Sequence, residues 1–231
     1  MLNALAALML PFALMQAEAA PAAQSAQLSG VTEARFQQCL TAIDADAAAA
    51  YETAMAWAAE AQSVSAYRCA AMALIAQNRH DEGARRLDSL ASAVNPAETG
   101  LRAELLSQAG NAWLLAREPS RARSSFTRAI TTLESDPSQL PDVLIDRARA
   151  YAMENDWRHS EEDLSRSLDI RADDPLALRL RAAARMHQRS FELAETDALA
   201  AARLEPANVD NYLILGHVRE SIRTGEPVQE Q

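Results

Sequence analysis

Four histidines and two cysteines are the residues in this 231-residue chain best suited to hold a metal or act as nucleophiles. His80, His159, His187 and His217 lie far apart, and no pair has the i,i+4 spacing that places two imidazoles on one helical face. The run His159-Ser160-Glu161-Glu162 is not the H-E-x-x-H zinc pattern, so exposed, solvated histidines are expected. Carboxylates are abundant, but Asp44/Asp46, Glu161/Glu162/Asp163 and Asp173/Asp174 read as loop and polar-face residues. An acid/base pair needs a cleft to hold it, and nothing in the pattern indicates one. No G-x-S-x-G elbow occurs. The reading is a protein that is not an enzyme and carries no cofactor and no metal.

Composition closes other routes. All 22 basic residues are Arg, so no P-loop lysine, Schiff-base lysine or kinase-type lysine is present. Arg in place of Lys, together with 51 Ala, points to a GC-rich bacterial coding bias. Six Gly and few β-branched or aromatic runs argue against barrels, sandwiches and dinucleotide folds. Ala, Leu, Arg and Glu are strong helix formers, which predicts an all-α chain. A net charge of −10 repels nucleic acid and anionic lipid, so neither is expected as a partner.

The N-terminus reads as an address. Residues 1–15, MLNALAALMLPFALM, form an apolar block followed by small residues flanking a cut after Ala19. That is the pattern of a secretory signal peptide, 1–19, with an uncleaved N-terminal anchor as the alternative. The block is shorter than the roughly 20 apolar residues a membrane span needs. Residues 20–30, rich in Ala, Gln and Ser, read as a flexible leader. Export to a periplasm, or secretion, would place Cys39 and Cys69 in an oxidising compartment, where an even pair is more often a disulfide than a metal site. Such a bridge between adjacent helices would contribute about 3 kcal/mol. Two buried free thiols are the other reading.

The elements that must position these residues follow a period. Pro96, Pro137, Pro141, Pro175 and Pro206 punctuate helical patterns that lack internal breakers. Residues 141–174 and 175–208 are each 34 residues long. Residues 103–140 form a similar unit with a four-residue insertion, Pro137–Leu140; 64–102 and a diverged 31–63 precede it, and a single helix, 209–223, follows. Small residues recur with bulky ones at fixed offsets: Leu106, Ala109-Gly110, Trp113, Ala122, Phe126 and Ala129 in one unit, Leu178, Ala182, Ala194, Ala201 and Pro206 in another. Tyr212 and Leu215-Gly216 repeat the start of the pattern, while Arg185 and Ala198 fall at the places that Trp113 and Phe126 hold in the earlier unit. Trp57, Trp113 and Trp157 fit packing between hairpins. A hairpin of this kind cannot bury its own apolar stripe and must stack on its neighbours.

These units resemble the tetratricopeptide repeat (TPR), a helix–turn–helix family. The resemblance implies an α-α superhelix over 31–223: a solenoid of about four to five antiparallel hairpins with a C-terminal capping helix, then a disordered tail at 224–231. It also implies a concave groove lined by the first helix of each unit, in which a protein or peptide partner lies. By repeat position the groove residues are Arg68, Met72, Asn111, Arg149 and Arg179, with Ser107, Leu114, Ile145, Ala152 and His187 beside them. Asn111, Arg149 and Arg179 could bond a peptide backbone or pair with carboxylates. The family's Lys/Asn carboxylate clamp is absent, so binding of chaperone tails is not implied. The expected role is a non-enzymatic scaffold or adaptor of the bacterial envelope. The alternatives are a structural subunit that uses the solenoid edges, and a redox-responsive module acting through Cys39 and Cys69.

Overall fold

Alanine-rich sequence between short polar breaks gives helix after helix. The computed structural model describes residues 20–133 and 137–228; the signal-peptide reading at 1–19 lies outside the described residues. Eleven α-helices are described: α1 Ala20–Ala45, α2 Ala47–Ala61, α3 Val64–Ala76, α4 His80–Ala93, α5 Thr99–Leu115, α6 Pro119–Thr132, α7 Leu140–Met153, α8 Trp157–Ile170, α9 Pro175–His187, α10 Phe191–Leu204 and α11 Val209–Thr224. A 3-10 turn at Pro137–Gln139 leads into α7. No strand occurs among the described residues. Each odd-numbered helix from α1 to α9 pairs with the next, and α11 stands alone on α9 and α10. The fold is all-α, a superhelix of stacked hairpins.

The hairpins turn without glycine. Between α3 and α4, α5 and α6, α7 and α8, and α9 and α10, three residues reverse the chain. The middle one, Asn78, Arg117, Asn155 or Arg189, has a left-handed φ of 62°, 59°, 59° or 63°. In each turn the amide of the third residue donates back to a carbonyl five residues earlier, as Glu118 does to Trp113 and Ser190 to Arg185. This geometry satisfies helix-end carbonyls that would otherwise lack partners. Starts are capped as well: Asp46 accepts from Ala48 and Ala49, Asp174 from Ala177, and Asn208 from Asp210.

The core is divided. One apolar cluster runs from α3 to α7 around Leu87, Leu106, Trp113 and Phe126. A second ties α1 to α2 and α3 through Phe36, Trp57 and Cys69. Two more join α7 to α10 and α9 to α11. Such a row of interfaces is what stacked repeats require, since each brick hides its stripe against the next. Close approach inside α5/α6 depends on Gly110, where an added Cβ would lie 2.5 Å from the Phe126 ring.

Two expectations for the chain ends change. The 20–30 stretch is not a separate leader, because the backbone is helical from Ala20. High alanine content supports that helix, and Pro21 sits in its first turn, where a missing N–H is not needed. At the other end, Thr224 is the last helical residue and residues 225–228 are held. Gly225 adopts φ 76°, Arg189 donates to its carbonyl and pairs with Glu226, and the Val228 amide donates to Ser221 Oγ.

Candidate binding groove and its polar ladder

The first helices of the hairpins are joined by polar side chains that cross from one to the next. Arg68 on α3 pairs with Glu104 on α5, donates to Gln108 at 3.0 Å and lies over the Phe36 ring at 4.9 Å. Asn111 on α5 donates to Asp146 on α7 at 2.8 Å, and the other oxygen of that carboxylate faces Arg149 at 3.2 Å. Arg179 on α9 reaches Asp210 and Asn211 on α11, both at 3.4 Å. Met72 packs half-buried among α1 and α3 side chains, lining a shallow apolar cleft with Leu40, Ile43 and Ile75. Each of the three arginines therefore already faces a carboxylate, and only Arg149 is largely exposed. Leu114 and Ile145 are core residues and do not line a groove.

Asp146 is the tensioned member of this ladder. Burial pushes its carboxyl above the ordinary range, against the opposing pull of the Asn111 amide and Arg149.

A second set of polar contacts lies between the hairpins and was hidden in the sequence. Arg147 on α7 forks onto Asp163 on α8 with two bonds of 2.7 Å and donates to Thr127 on α6 at 3.0 Å. Arg181 on α9 forks onto Asp197 on α10 at 2.8 and 2.9 Å and donates to Ser165 on α8 at 3.2 Å. Both the arginine and the aspartate recur after 34 residues. Asp163 and Asp197 are each only 3% exposed, so reading Asp163 as a polar-face residue is corrected. Burial pulls the Arg147 pKa down, but the bonds and charge of Asp163 outweigh it, and the net shift is upward. Arg185 adds a bond to Asp197 and another to Glu161. One hairpin earlier the scheme is inverted: Asp88 on α4 accepts from Trp113 and Ser125, with Arg128 at the rim. A fixed R…D spacing at the repeat period was the available signal, and the helical pattern alone did not say which side each residue faces.

The histidines also differ from the expectation of free solvation. His159 stacks on Tyr151 with centroids 5.1 Å apart and bonds Asp156, and His187 stacks on Trp157 at 4.0 Å. No group of three His, Cys, Asp or Glu that could hold a metal occurs among the described residues. Among them, too, no helix is long and apolar enough to cross a membrane. Cys39 on α1 and Cys69 on α3 face each other with Cα atoms 6.3 Å apart, within the range a disulfide spans.

No family model and no curated protein sequence matches this chain. Solved structures do. The C-terminal part of a TPR repeat-containing protein from Cytophaga hutchinsonii superposes with a TM-score of 0.66 at 14% identity, over 82% of this chain and 72% of that one. The C-terminal TPR-containing domain of a Plasmodium falciparum FK506-binding protein gives 0.50 at 18% identity, over 58% of this chain and 97% of that one. The likeness is one of fold: this chain is a helical repeat similar to TPR domains.

Proposed function

We propose that this chain is a non-enzymatic interaction scaffold that holds a partner segment along the face formed by its odd-numbered helices. The observation that carries this reading is the set of apolar side chains those helices leave exposed: Leu115 on α5, Met153 on α7, Leu176 on α9 and Leu213 on α11. Leu115 and Met153 occupy the same place in successive repeats once the four-residue insertion is allowed for. Since Arg68 and Arg179 are already engaged, recognition rests on apolar contacts, with Arg149 the cation most available to a partner carboxylate. Capture from envelope extract with wild type, with Leu115→Glu/Met153→Glu and with Arg149→Glu/Arg179→Glu tests it. Loss of one partner in the first variant supports the reading, and retention in both variants overturns it in favour of the solenoid edges.

The location belongs to the same proposal. The apolar block at 1–15 and the small residues before Ala20 support export to a bacterial periplasm, and the Cys39–Cys69 geometry supports a static bridge fixing α1 to α3. N-terminal sequencing of the chain recovered from the envelope is expected to begin at Ala20. Intact mass before and after reduction is expected to differ by two hydrogens. A Met1 terminus or an unchanged mass would overturn these two points respectively.

A further inference from the structure

A trough of about 470 Å³ runs along α4, lined by Arg86, Ser89, Leu90 and Ala93 of that helix and by Tyr67 of α3. Its volume lies in the range of small-molecule sites. Positions 86, 89, 90 and 93 share one helical face, so the lining changes along its length from a guanidinium and a hydroxyl to an isobutyl and a methyl group. The antiparallel pairing of α3 and α4 brings Tyr67, in the first turn of α3, to the last turns of α4. Arg86 is unusual here, because most arginines of this chain face an acid. Half-buried, it donates to the Tyr51 hydroxyl at 2.9 Å and to the Met55 sulfur at 3.8 Å, both neutral. The acids of its own helix are taken. Glu82, four residues before it, is held by two bonds from Arg79, Asp81 by Arg85, and Asp88 by Trp113, Ser125 and Arg128. No carboxylate of the described residues pairs with Arg86, and further N–H donors of its guanidinium keep no protein acceptor among them. Such a cation has lost hydration without gaining a countercharge, and its planar fork matches a carboxylate.

We propose that the α4 trough binds a small organic carboxylate on an apolar body, of the arylalkanoic acid class. The carboxylate pairs with Arg86 beside the Ser89 hydroxyl, and the apolar body lies over Leu90 and Ala93 against the Tyr67 ring. At about 1.5 Å per residue the helix rises about 10 Å from residue 86 to residue 93, which fits a ring joined to its acid by a short alkyl chain. One unneutralised cation and one hydroxyl suit a monoanion. A phosphate dianion would leave charge unmatched beside Glu82, which also lines the trough. The site uses none of the apolar residues exposed along the odd-numbered helices, Leu115 and Met153 among them, so it stands or falls apart from the groove.

NMR titration of the isotope-labelled full chain with sodium 4-phenylbutyrate tests the site. Wild type is expected to saturate in the low-millimolar range, with the Arg86 side-chain Nε–H and the Ser89 amide moving most. The alcohol 4-phenylbutanol, with the same body and no charge, should bind about tenfold more weakly. Arg86→Gln should bring the acid down to the level of the alcohol and leave the alcohol unchanged. Ser89→Glu, at an exposed position, should abolish binding of the acid while the melting temperature holds. Arg149→Glu should bind the acid as wild type does. A wild type that shows no saturation by about 20 mM acid overturns the proposal. So does an acid that binds Arg86→Gln or Ser89→Glu as tightly as wild type. A trough that takes the capped acidic peptide acetyl-Leu-Glu-Leu-Glu-amide and not the small acid overturns it as well.

Discussion

Two hairpins of the solenoid, separated by α7/α8, solve the same packing problem with opposite chemistry. In α5/α6 a glycine and two aromatics do it: Gly110 admits the Phe126 ring, and Trp113 fills the space beside it while its Nε1 donates to Asp88. In α9/α10 the aromatics are missing, and Arg185 and Ala198 stand in their places. This seam holds Arg181 and Arg185, both mostly buried, whose heads close on Asp197 and Glu161. The backbone brick is common to both; how its seam is filled is free to vary. Burying an ion pair in such a seam is not obviously stabilising, since desolvation offsets much of the attraction. What it supplies is register, because a two-bond fork between Arg and Asp tolerates little sliding of one helix past another.

The largest test of this contrast is Asp197→Ala. It leaves Arg181 with only the Ser165 hydroxyl and strips one of the two acids from Arg185. A loss of about 3–5 kcal/mol is expected in urea or thermal unfolding. The double change Arg181→Leu/Asp197→Leu should recover most of that loss, since an apolar pair of similar size needs no desolvation. If the double variant is as unstable as the single, the fork contributes stability as well as register, and the contrast with α5/α6 narrows.

On the dry side, Gly110→Ala is expected to cost about 1–3 kcal/mol, because a rigid aromatic ring must move to admit a methyl group. The same substitution at Gly216 should be stabilising by roughly 0.5–1 kcal/mol, since only the helix propensity changes. Equal effects at the two sites would mean that Phe126 shifts freely and that the seam is looser than its geometry implies.

The sequence made the fold class readable because small and bulky residues recur at the repeat period, and burial of Gly110, Ala122, Phe126 and Ala129 follows from that recurrence. The Arg147–Asp163 and Arg181–Asp197 forks are equally periodic, yet Asp163 reads in the sequence as a polar-face charge. Charge is normally evidence of exposure, and only the stacking of a third helix encloses these groups. The site was less legible still. Repeat position named Arg68, Asn111 and Arg179, but it could not show that Glu104, Asp146 and Asp210 on the following helices stand within reach of them. The turns are hard to read in the sequence for a related reason: a left-handed residue suggests glycine, whereas this chain uses Asn and Arg there.

Those turns give a smaller test, common to the four hairpins from α3 to α10. Arg117, at φ 59°, keeps a Cβ in the left-handed region, where glycine carries no steric penalty. Arg117→Gly should relieve about 1–2 kcal/mol of left-handed strain and give back about 0.4–1 kcal/mol to the freer unfolded chain, a net gain of up to about 1 kcal/mol in thermal unfolding. Asn155→Gly should gain less, because asparagine tolerates this conformation better than arginine. A larger gain at Asn155 would show that the Arg117 side chain is not what strains its turn.

The smallest effect separates the groove ladder from the buried forks. Asp146 differs from Asp163 and Asp197 in lacking a two-bond arginine partner, and burial raises its pKa in the folded chain. A carboxyl raised on folding is favoured when protonated. Its contribution to stability is therefore complete below the unfolded pKa of about 3.9 and is lost as pH climbs through the higher folded value. Asp146→Asn removes the titration, so the difference in unfolding free energy between variant and wild type should shift toward the variant as pH rises through that window. It should then stay constant at neutral pH. A difference that is flat with pH would mean the Asn111 bond and Arg149 already compensate the burial in full, and that this carboxylate is held as firmly as the two inside the seams.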